Sequence, residues 1–261
     1  MLKALIIAAG CGERLKPFTL TEPKPLMPLL GSRIIERIIV SIRNAGISEV
    51  VIVIGYLGKK IMDFLGDGSK YGVKIRFVEN KFWRLGNGVS VYVARRKIRG
   101  RFLLLMADHV FDPKVLSMLK DFSSNVAADE CVLCVDTRMK YVFDMDDATK
   151  VKIVNGRIID IGKDLKDFNG IDMGIFLCSP IIFETLRYNI RRGLYTLTDA
   201  VKELARQGKM KPLIIDEEEL FWIDIDTFKA LEIATALLEM KSTLEKFRES
   251  SYAPPIDNLD I

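Results

Sequence analysis

The chain has 261 residues, is 49% hydrophobic and 28% charged, and carries a net charge of +4 spread along its length. A chain of this size and composition can bury roughly 70–75% of its unfolded surface in one large α/β domain, and the dispersed charge argues against a nucleic-acid partner. No apolar run approaches the ~18 residues of a membrane span, and the N-terminal run is too short and too soon broken by Gly10 to be a signal peptide, so the expected setting is the cytoplasm.

The first element is an unbroken apolar run, Leu5 to Ala9, of the kind a parallel strand shows when both faces are covered. It empties into a loop in which Gly10 and Gly12 let backbone N–H groups approach an anion, with Arg14 and Lys24 as countercharge. A dinucleotide fingerprint would need a third glycine and a helix starting inside the loop. Arg14 stands near the third glycine position, and Pro17, Pro23, Pro25 and Pro28 forbid a helix directly afterwards. A long proline-stiffened loop over a ligand is expected instead.

Further along, Ile34, Ile35, Ile38, Ile39 and Ile42 fall on one helical face that ends near Gly46. Strands are predicted at Val50–Ile54, Lys74–Val78, Arg101–Ala107, Cys131–Asp136, Asp172–Cys178, Pro212–Ile215 and Phe221–Ile225, alternating with helical patterns in the manner of a doubly wound sheet. Between Asp144 and Gly162, paired short strands around Asn155-Gly156 predict an inserted hairpin. A last helix, from about Thr227 to Arg248, places Ala230, Ile233, Leu237, Met240, Leu244 and Phe247 on one stripe, which packs on the core or forms a homodimer through that helix. One domain over 1–248 and a flexible tail over 249–261 are expected.

Cys131 and Cys134 are spaced so that a strand sends them to opposite faces; they and the remaining cysteines read as buried free thiols rather than a zinc site. His109 is the only histidine, so catalysis must rest on carboxylates, cations and backbone. Asp108 closes a buried strand, where open α/β sheets bind ligands. In Trp222-Ile-Asp224-Ile-Asp226-Thr227, alternation puts Trp222, Asp224 and Asp226 on one face, where the two carboxylates repel unless a cation or donors separate them. Asp226 reads as the N-cap of the following helix and Asp224 as a ligand. Gly86-Asn87-Gly88 is either a plain turn or a place where a base or ribose lies against backbone.

A glycine loop with Arg and Lys, together with two Asp at the ends of separate strands, makes a site for a nucleoside triphosphate whose Mg²⁺ is held by oxygen ligands. An attacking phosphate monoester needs no general base, which suits the missing histidine pairs, and the chemistry implied is nucleotidyl transfer.

At Gly10-Cys-Gly12-Glu-Arg14-Leu-Lys-Pro17-Phe-Thr19 and Pro23-Lys24-Pro25-Leu26 the chain resembles the sugar-phosphate nucleotidyltransferase family. Gly86-Asn-Gly-Val-Ser90, Met106-Ala-Asp108-His-Val-Phe111, Gly162-Lys163-Asp-Leu165, Asp172-Met-Gly-Ile-Phe176 and Trp222-Ile-Asp-Ile-Asp-Thr227 resemble blocks of its CTP:inositol-1-phosphate cytidylyltransferases. The resemblance implies a Rossmann-like, doubly wound mixed sheet of the nucleotide-diphospho-sugar transferase type, and CTP and inositol 1-phosphate as substrates. In these terms Ala8, Ala9, Gly10 and Gly12 hold the nucleotide and Arg14 and Lys24 stabilise the departing pyrophosphate. Asp108 and Asp224 hold Mg²⁺, with Asp108 also beside the nucleotide. Glu79, Gly86 and Asn87 lie near the base, and Lys163 and Asp172 face the inositol phosphate. Lys163 is also placed among the catalytic cations. Ala107 departs from the Gly usual before the metal Asp. In some relatives a membrane phosphotransferase-like domain is fused on; here a separate membrane enzyme would use the CDP-inositol, feeding di-myo-inositol phosphate synthesis. Transfer to another sugar 1-phosphate or to phosphocholine, and a non-catalytic regulatory relative, stay open.

Overall fold

A computed structural model describes residues 2–251. The strands are β1 (Lys3–Ala8), β2 (Pro28–Leu29), β3 (Ser32–Arg33), β4 (Glu49–Ile54), β5 (Lys74–Glu79), β6 (Phe102–Met106), β7 (His109–Phe111), β8 (Cys131–Asp136), β9 (Lys150–Val154), β10 (Arg157–Gly162), β11 (Gly170–Cys178), β12 (Met210–Ile215) and β13 (Trp222–Asp224). The helices are α1 (Ile34–Asn44), α2 (Gly58–Leu65), α3 (Asn87–Val93), α4 (Lys114–Phe122), α5 (Ile181–Arg191), α6 (Leu197–Arg206) and α7 (Phe228–Ser251).

A nine-stranded sheet runs β10-β9-β11-β6-β1-β4-β5, with β8 on β11 and β12 on β8. Strands β6, β1, β4 and β5 are parallel, and β11 meets β6 antiparallel. Alternation along β1 divides the core. Ala4, Ile6 and Ala8 pack with the apolar faces of α1, α2, α4 and the start of α7. Leu5, Ile7 and Ala9 face α3, α5 and α6. Covered on both sides, β1 has no polar residue between Ala4 and Ala9, which is why it reads as a continuous apolar run.

The five isoleucines of α1 are buried, and Gly46 takes a positive φ just past the helix, where Ile47 N–H closes onto the Ile42 carbonyl. The hairpin turns at Asn155 and Gly156, both at positive φ, and adds to the main sheet through β9 and β11. Cys131 and Cys134 are buried free thiols in the two opposite halves of the core, and Cys178 is buried in the half that holds Cys131. Cys11, in the loop after β1, is only half-buried, which corrects the expectation for it.

The C-terminal helix departs from expectation. It continues to Ser251, past the expected boundary at 248, and the rest of the expected tail, 252–261, lies outside the described residues. The stripe is also not one face. Ala230 and Ala234 are buried and Ile233 is half-buried, but Met240 and Leu244 are exposed. Leu231, Ile233 and Leu238 pack against the core and the exposed Met240 and Leu244 lie beyond them, while the side chain of Phe247 is outside the described residues.

Candidate active site

The glycine loop and Asp108 follow the carboxyl ends of parallel strands β1 and β6, whereas Asp172 lies on antiparallel β11, Lys163 follows β10 and Asp224 ends β13, which pairs with β7. After β1, Gly10 is exposed with open space where a Cβ would stand, while Gly12, at φ 64°, presses on the stem of Lys24 and the methyl of Thr19. The hydroxyl of Thr19 donates to the Gly12 carbonyl at 2.9 Å. Instead of an α-helix the loop makes three short 3₁₀ turns, as its prolines require, and the last of them, Lys24–Leu26, buries Lys24. The Ala9 carbonyl is taken by Tyr56 N–H at 3.1 Å, which ties the loop to the end of β4.

Strand β7 follows Asp108 and pairs antiparallel with β13, setting Asp224 directly opposite His109. Ile225 N–H bonds the Asp108 carbonyl at 3.0 Å, so the two carboxylates converge. Lys24 Nζ enters between them, 2.8 Å from Asp108 Oδ2 and 3.6 Å from Asp224 Oδ1, with a third contact to Asp226. Arg14 contacts Asp226 and reaches Asp147 at 2.8 Å, and Asp147 also holds Lys163. The expected repulsion between Asp224 and Asp226 is therefore met by two cations.

The charges show the consequence. Burial would raise the Asp108 carboxyl, but the Lys24 ammonium and the His109 imidazole hold it well below the usual carboxylate range. Asp224 is pushed up, first by burial and then by Asp108. Burial opposes the charge on His109, yet Asp224 and Asp108 raise its pKa. Asp172, half-buried with its carboxyl turned away from water and close to Asp224, is raised to about 6 even though it accepts a 2.7 Å hydrogen bond from Gly174 N–H.

A pocket of about 250 Å³ opens beside this cluster, lined among others by Asn87, Asp108, Lys163, Asp172, Thr198 and Trp222. The structure thus brings together Lys24, Asp108 and Asp224, with Arg14 joined through Asp226, and sets Lys163 and Asp172 on the pocket beside them. It does not bring Glu79 there: this exposed residue ends β5, three strands away from β6.

Two readings are corrected. Asp226 is not the N-cap of α7: Thr227 Oγ1 accepts from Ala230 N–H at 3.1 Å, and Asp226 is left to the cations. Gly86 and Gly88 form neither a plain turn nor open room for a base, since a Cβ at either would stand 2.6 or 2.7 Å from the Tyr195 carbonyl oxygen. They let the start of α3 lie on the segment before α6, and Asn87 accepts from Leu197 N–H at 2.8 Å.

Sequence reasoning passed over His109, Asp147 and Asp136. His109 Nδ1 donates to Asp108 Oδ1 at 2.8 Å, its ring stacks on Trp222 with centroids 6.2 Å apart, and it leaves no room for any side chain at Gly174. Asp136 receives Trp222 Nε1 at 2.7 Å and the Arg138 guanidinium, bracing β13 from β8. Asp224 Oδ1 bears on whether the cluster suits a divalent ion: it is buried and has no hydrogen-bond donor among the described residues, and one ligand atom from each of Asp108, His109 and Asp224 lies within 4.8 Å of the other two. A buried carboxylate oxygen that has only a long ion pair to Lys24 and stands beside a second carboxylate fits a hard cation.

A model of the nucleotidyl transferase family matches residues 3–241. The chain belongs to that family. It is 34% identical over 238 residues to the bifunctional IPC transferase and DIPP synthase of Rubrobacter xylanophilus, covering 90% of this chain and 51% of the relative. The chain spans about half the length of the curated relatives of this kind from Rubrobacter, Aquifex and Thermococcus. Among solved structures, the inositol-1-phosphate CTP transferase of T. maritima superposes with a TM-score of 0.74 at 25% identity, covering 91% of this chain and 96% of that one. A UDP-glucose pyrophosphorylase complexed with UDP-glucose gives 0.77 at 18%, covering 92% and 99%. The mixed α/β sheet is therefore that of the nucleotide-diphospho-sugar transferases. Among the described residues no helix is long and apolar enough to cross a membrane.

Proposed function

We propose that this nucleotidyltransferase carries CMP from CTP to inositol 1-phosphate, giving CDP-inositol and pyrophosphate. The observation that carries the reading is the meeting of Lys24 with Asp108, Asp224 and Asp226 at the mouth of the sheet, beside the glycine loop on one side and the Lys163–Asp172 pocket on the other. The choice of CTP and inositol 1-phosphate is supported by the names of the relatives. The pocket suits a phosphorylated polyol, with the Lys163 ammonium for the phosphate and the Asp172 carboxylate for hydroxyls.

Within this reading an oxygen of the inositol phosphate attacks the CTP α-phosphorus. The new O–P bond forms as the bond from that phosphorus to the bridging β-phosphate oxygen breaks, and pyrophosphate leaves with the electron pair. The attacking oxygen is already anionic, so positioning and charge neutralisation suffice. Ala8, Ala9, Gly10 and Gly12 present backbone to the nucleotide, Asn87 at the pocket rim lies toward the base, and Arg14 and Lys24 meet charge on the departing pyrophosphate. Mg²⁺ held by Asp108 and Asp224 would supply countercharge to the triphosphate. CDP-inositol would then serve a synthase activity of the kind named in those relatives.

A pyrophosphate-release screen of four NTPs against phosphorylated polyols tests the assignment. Release from CTP that requires inositol 1-phosphate is expected; equal or faster turnover of UTP or dTTP with glucose 1-phosphate would overturn the substrate assignment and leave the family standing.

A further inference from the structure

We infer that His109 supplies a nitrogen ligand to the same divalent ion, through Nδ1, so that the site is a two-carboxylate, one-imidazole triad rather than a pair of aspartates. The inference rests on the metal role proposed for Asp108 and Asp224. Three ligand groups converge: His109 Nδ1 lies 2.8 Å from Asp108 Oδ1 and 3.8 Å from Asp224 Oδ1, and the three residues can each offer one ligand atom within 4.8 Å of the others. An ion with bonds of about 2.0–2.2 Å places adjacent donors roughly 3 Å apart and opposite donors roughly 4.3 Å apart, so these separations suit three positions around one centre.

The hydrogen-bond accounting points the same way. A proton on Nδ1 satisfies Asp108 Oδ1, but at 3.8 Å it is no bond to Asp224 Oδ1, which has no hydrogen-bond donor among the described residues. Lys24 does not settle it either, since Nζ is 3.6 Å from that oxygen and is engaged by Asp108 Oδ2 and Asp226. One ion in place of the Nδ1 proton serves all three atoms. The ring is also held for the task. Trp222 stacks on one side, Gly174 at φ 68° packs against Nε2, and Trp222 is itself anchored by its indole N–H on Asp136. Strand pairing rather than a loop then fixes His109 opposite Asp224.

The chain contains one histidine, so labelling the protein with ¹⁵N-histidine reports on this residue alone and needs no substitution. With Mn²⁺ and CTP bound and the acceptor withheld, pulsed EPR of the unlabelled protein should show ¹⁴N coupling of directly bound imidazole, replaced by ¹⁵N coupling on labelling. Calorimetry should show Co²⁺ binding more tightly than Mg²⁺ by on the order of tenfold or more, an excess lost in His109→Asn. Bound Mn²⁺ whose spectrum ignores the label overturns the nitrogen ligand and leaves the carboxylate site intact. Failure of Mn²⁺ to bind wild type, with or without CTP, overturns the triad and the two-aspartate reading together.

Discussion

Lys24 Nζ lies 2.8 Å from Asp108 Oδ2 on a side chain only 7% exposed, inside a ring of carboxylates. A lysine is buried in this way only where anions compensate it, and here the anions are those that would hold the metal. Lys24 is the countercharge of this cluster, and in the proposed reaction it would in addition donate to the phosphates of CTP.

Replacing Lys24 by Met keeps much of the stem and removes the charge. Breaking a fully buried pair costs 3–5 kcal/mol; the three carboxylates here keep partial contact with water, so a loss of about 1–3 kcal/mol is expected in chelator. Mg²⁺ should restore more of the melting temperature in the variant than in wild type. Turnover should fall on the order of 10²–10³, mainly in kcat. Thermal melts with and without Mg²⁺, beside steady-state kinetics, check it; an unchanged melt in chelator would show that the cluster does not depend on this cation.

Asp108→Asn and Asp224→Asn should both be inactive yet differ in stability. The Asp108 carboxyl is held low by Lys24 and His109, so ionised it stabilises the fold at neutral pH, and the amide should lower the apo melt. The Asp224 carboxyl is raised by burial and by Asp108, so ionised it costs stability once pH passes its folded pKa. Its amide should melt no lower than wild type. Denaturant titrations at pH 7.5 in chelator distinguish the two. Equal losses would mean that both carboxylates are structural.

Asp226 and Thr227 stand side by side and should separate cleanly. Thr227→Ala removes the N-cap of α7 and should cost about 1 kcal/mol with activity kept at moderate temperature. Asp226→Asn leaves the cap and removes a partner of Lys24 and Arg14, so kcat should fall with little change in melting. The reverse pattern would return Asp226 to the cap.

Much of this site was legible because its parts are marked by local rules. Lys24 sits in a loop that prolines keep from becoming helix, Asp108 closes an apolar run, and alternation through Trp222, Asp224 and Asp226 puts the acids on one face. What stayed hidden depends on contacts distant in sequence. His109 matters because β7 pairs with β13 in a particular register, and Asp147 because a turn between β8 and β9 meets Arg14 across the cleft. Asp226 was open to two readings because Asp and Thr are both good caps, and only packing chose Thr227. Glycine pairs were ambiguous for the same reason: nothing near Gly86 and Gly88 in sequence shows that Tyr195 lies against them.

That ambiguity is testable. A Cβ at Gly10 meets nothing within 4 Å, whereas one at Gly88 would stand 2.7 Å from the Tyr195 oxygen and 2.8 Å from Thr196 backbone. Gly10→Ala should therefore fold normally and weaken CTP binding, while Gly88→Ala should lose about 1–3 kcal/mol of stability through a backbone clash. Circular-dichroism melts and CTP titration read the two effects apart. Normal stability in Gly88→Ala would refute the packing role.

Asp172 gives a pH signature with a defined sign. Burial is the largest cause of its raised pKa, followed in the same direction by Asp224, while Gly174 N–H and His109 oppose them. A folded-state pKa of about 6 against the ordinary aspartate value of 3.8 means that the folded chain holds this proton more tightly than the unfolded one. The contribution is complete below the unfolded value and is lost as pH rises through the folded one. Asp172→Asn keeps an oxygen for Gly174 N–H and carries no charge to desolvate. It should match wild type near pH 4, gain on it between about pH 4 and 6, and hold a constant advantage above that of about 3 kcal/mol at most. The same variant should raise KM for the acceptor if the carboxylate binds its hydroxyls, with KM for CTP unchanged. Chemical denaturation from pH 4 to 8 supplies the first measurement and two-substrate kinetics the second. A stability difference that is flat across that range would place Asp172 in contact with solvent, and an unchanged acceptor KM would remove it from the pocket's recognition of substrate.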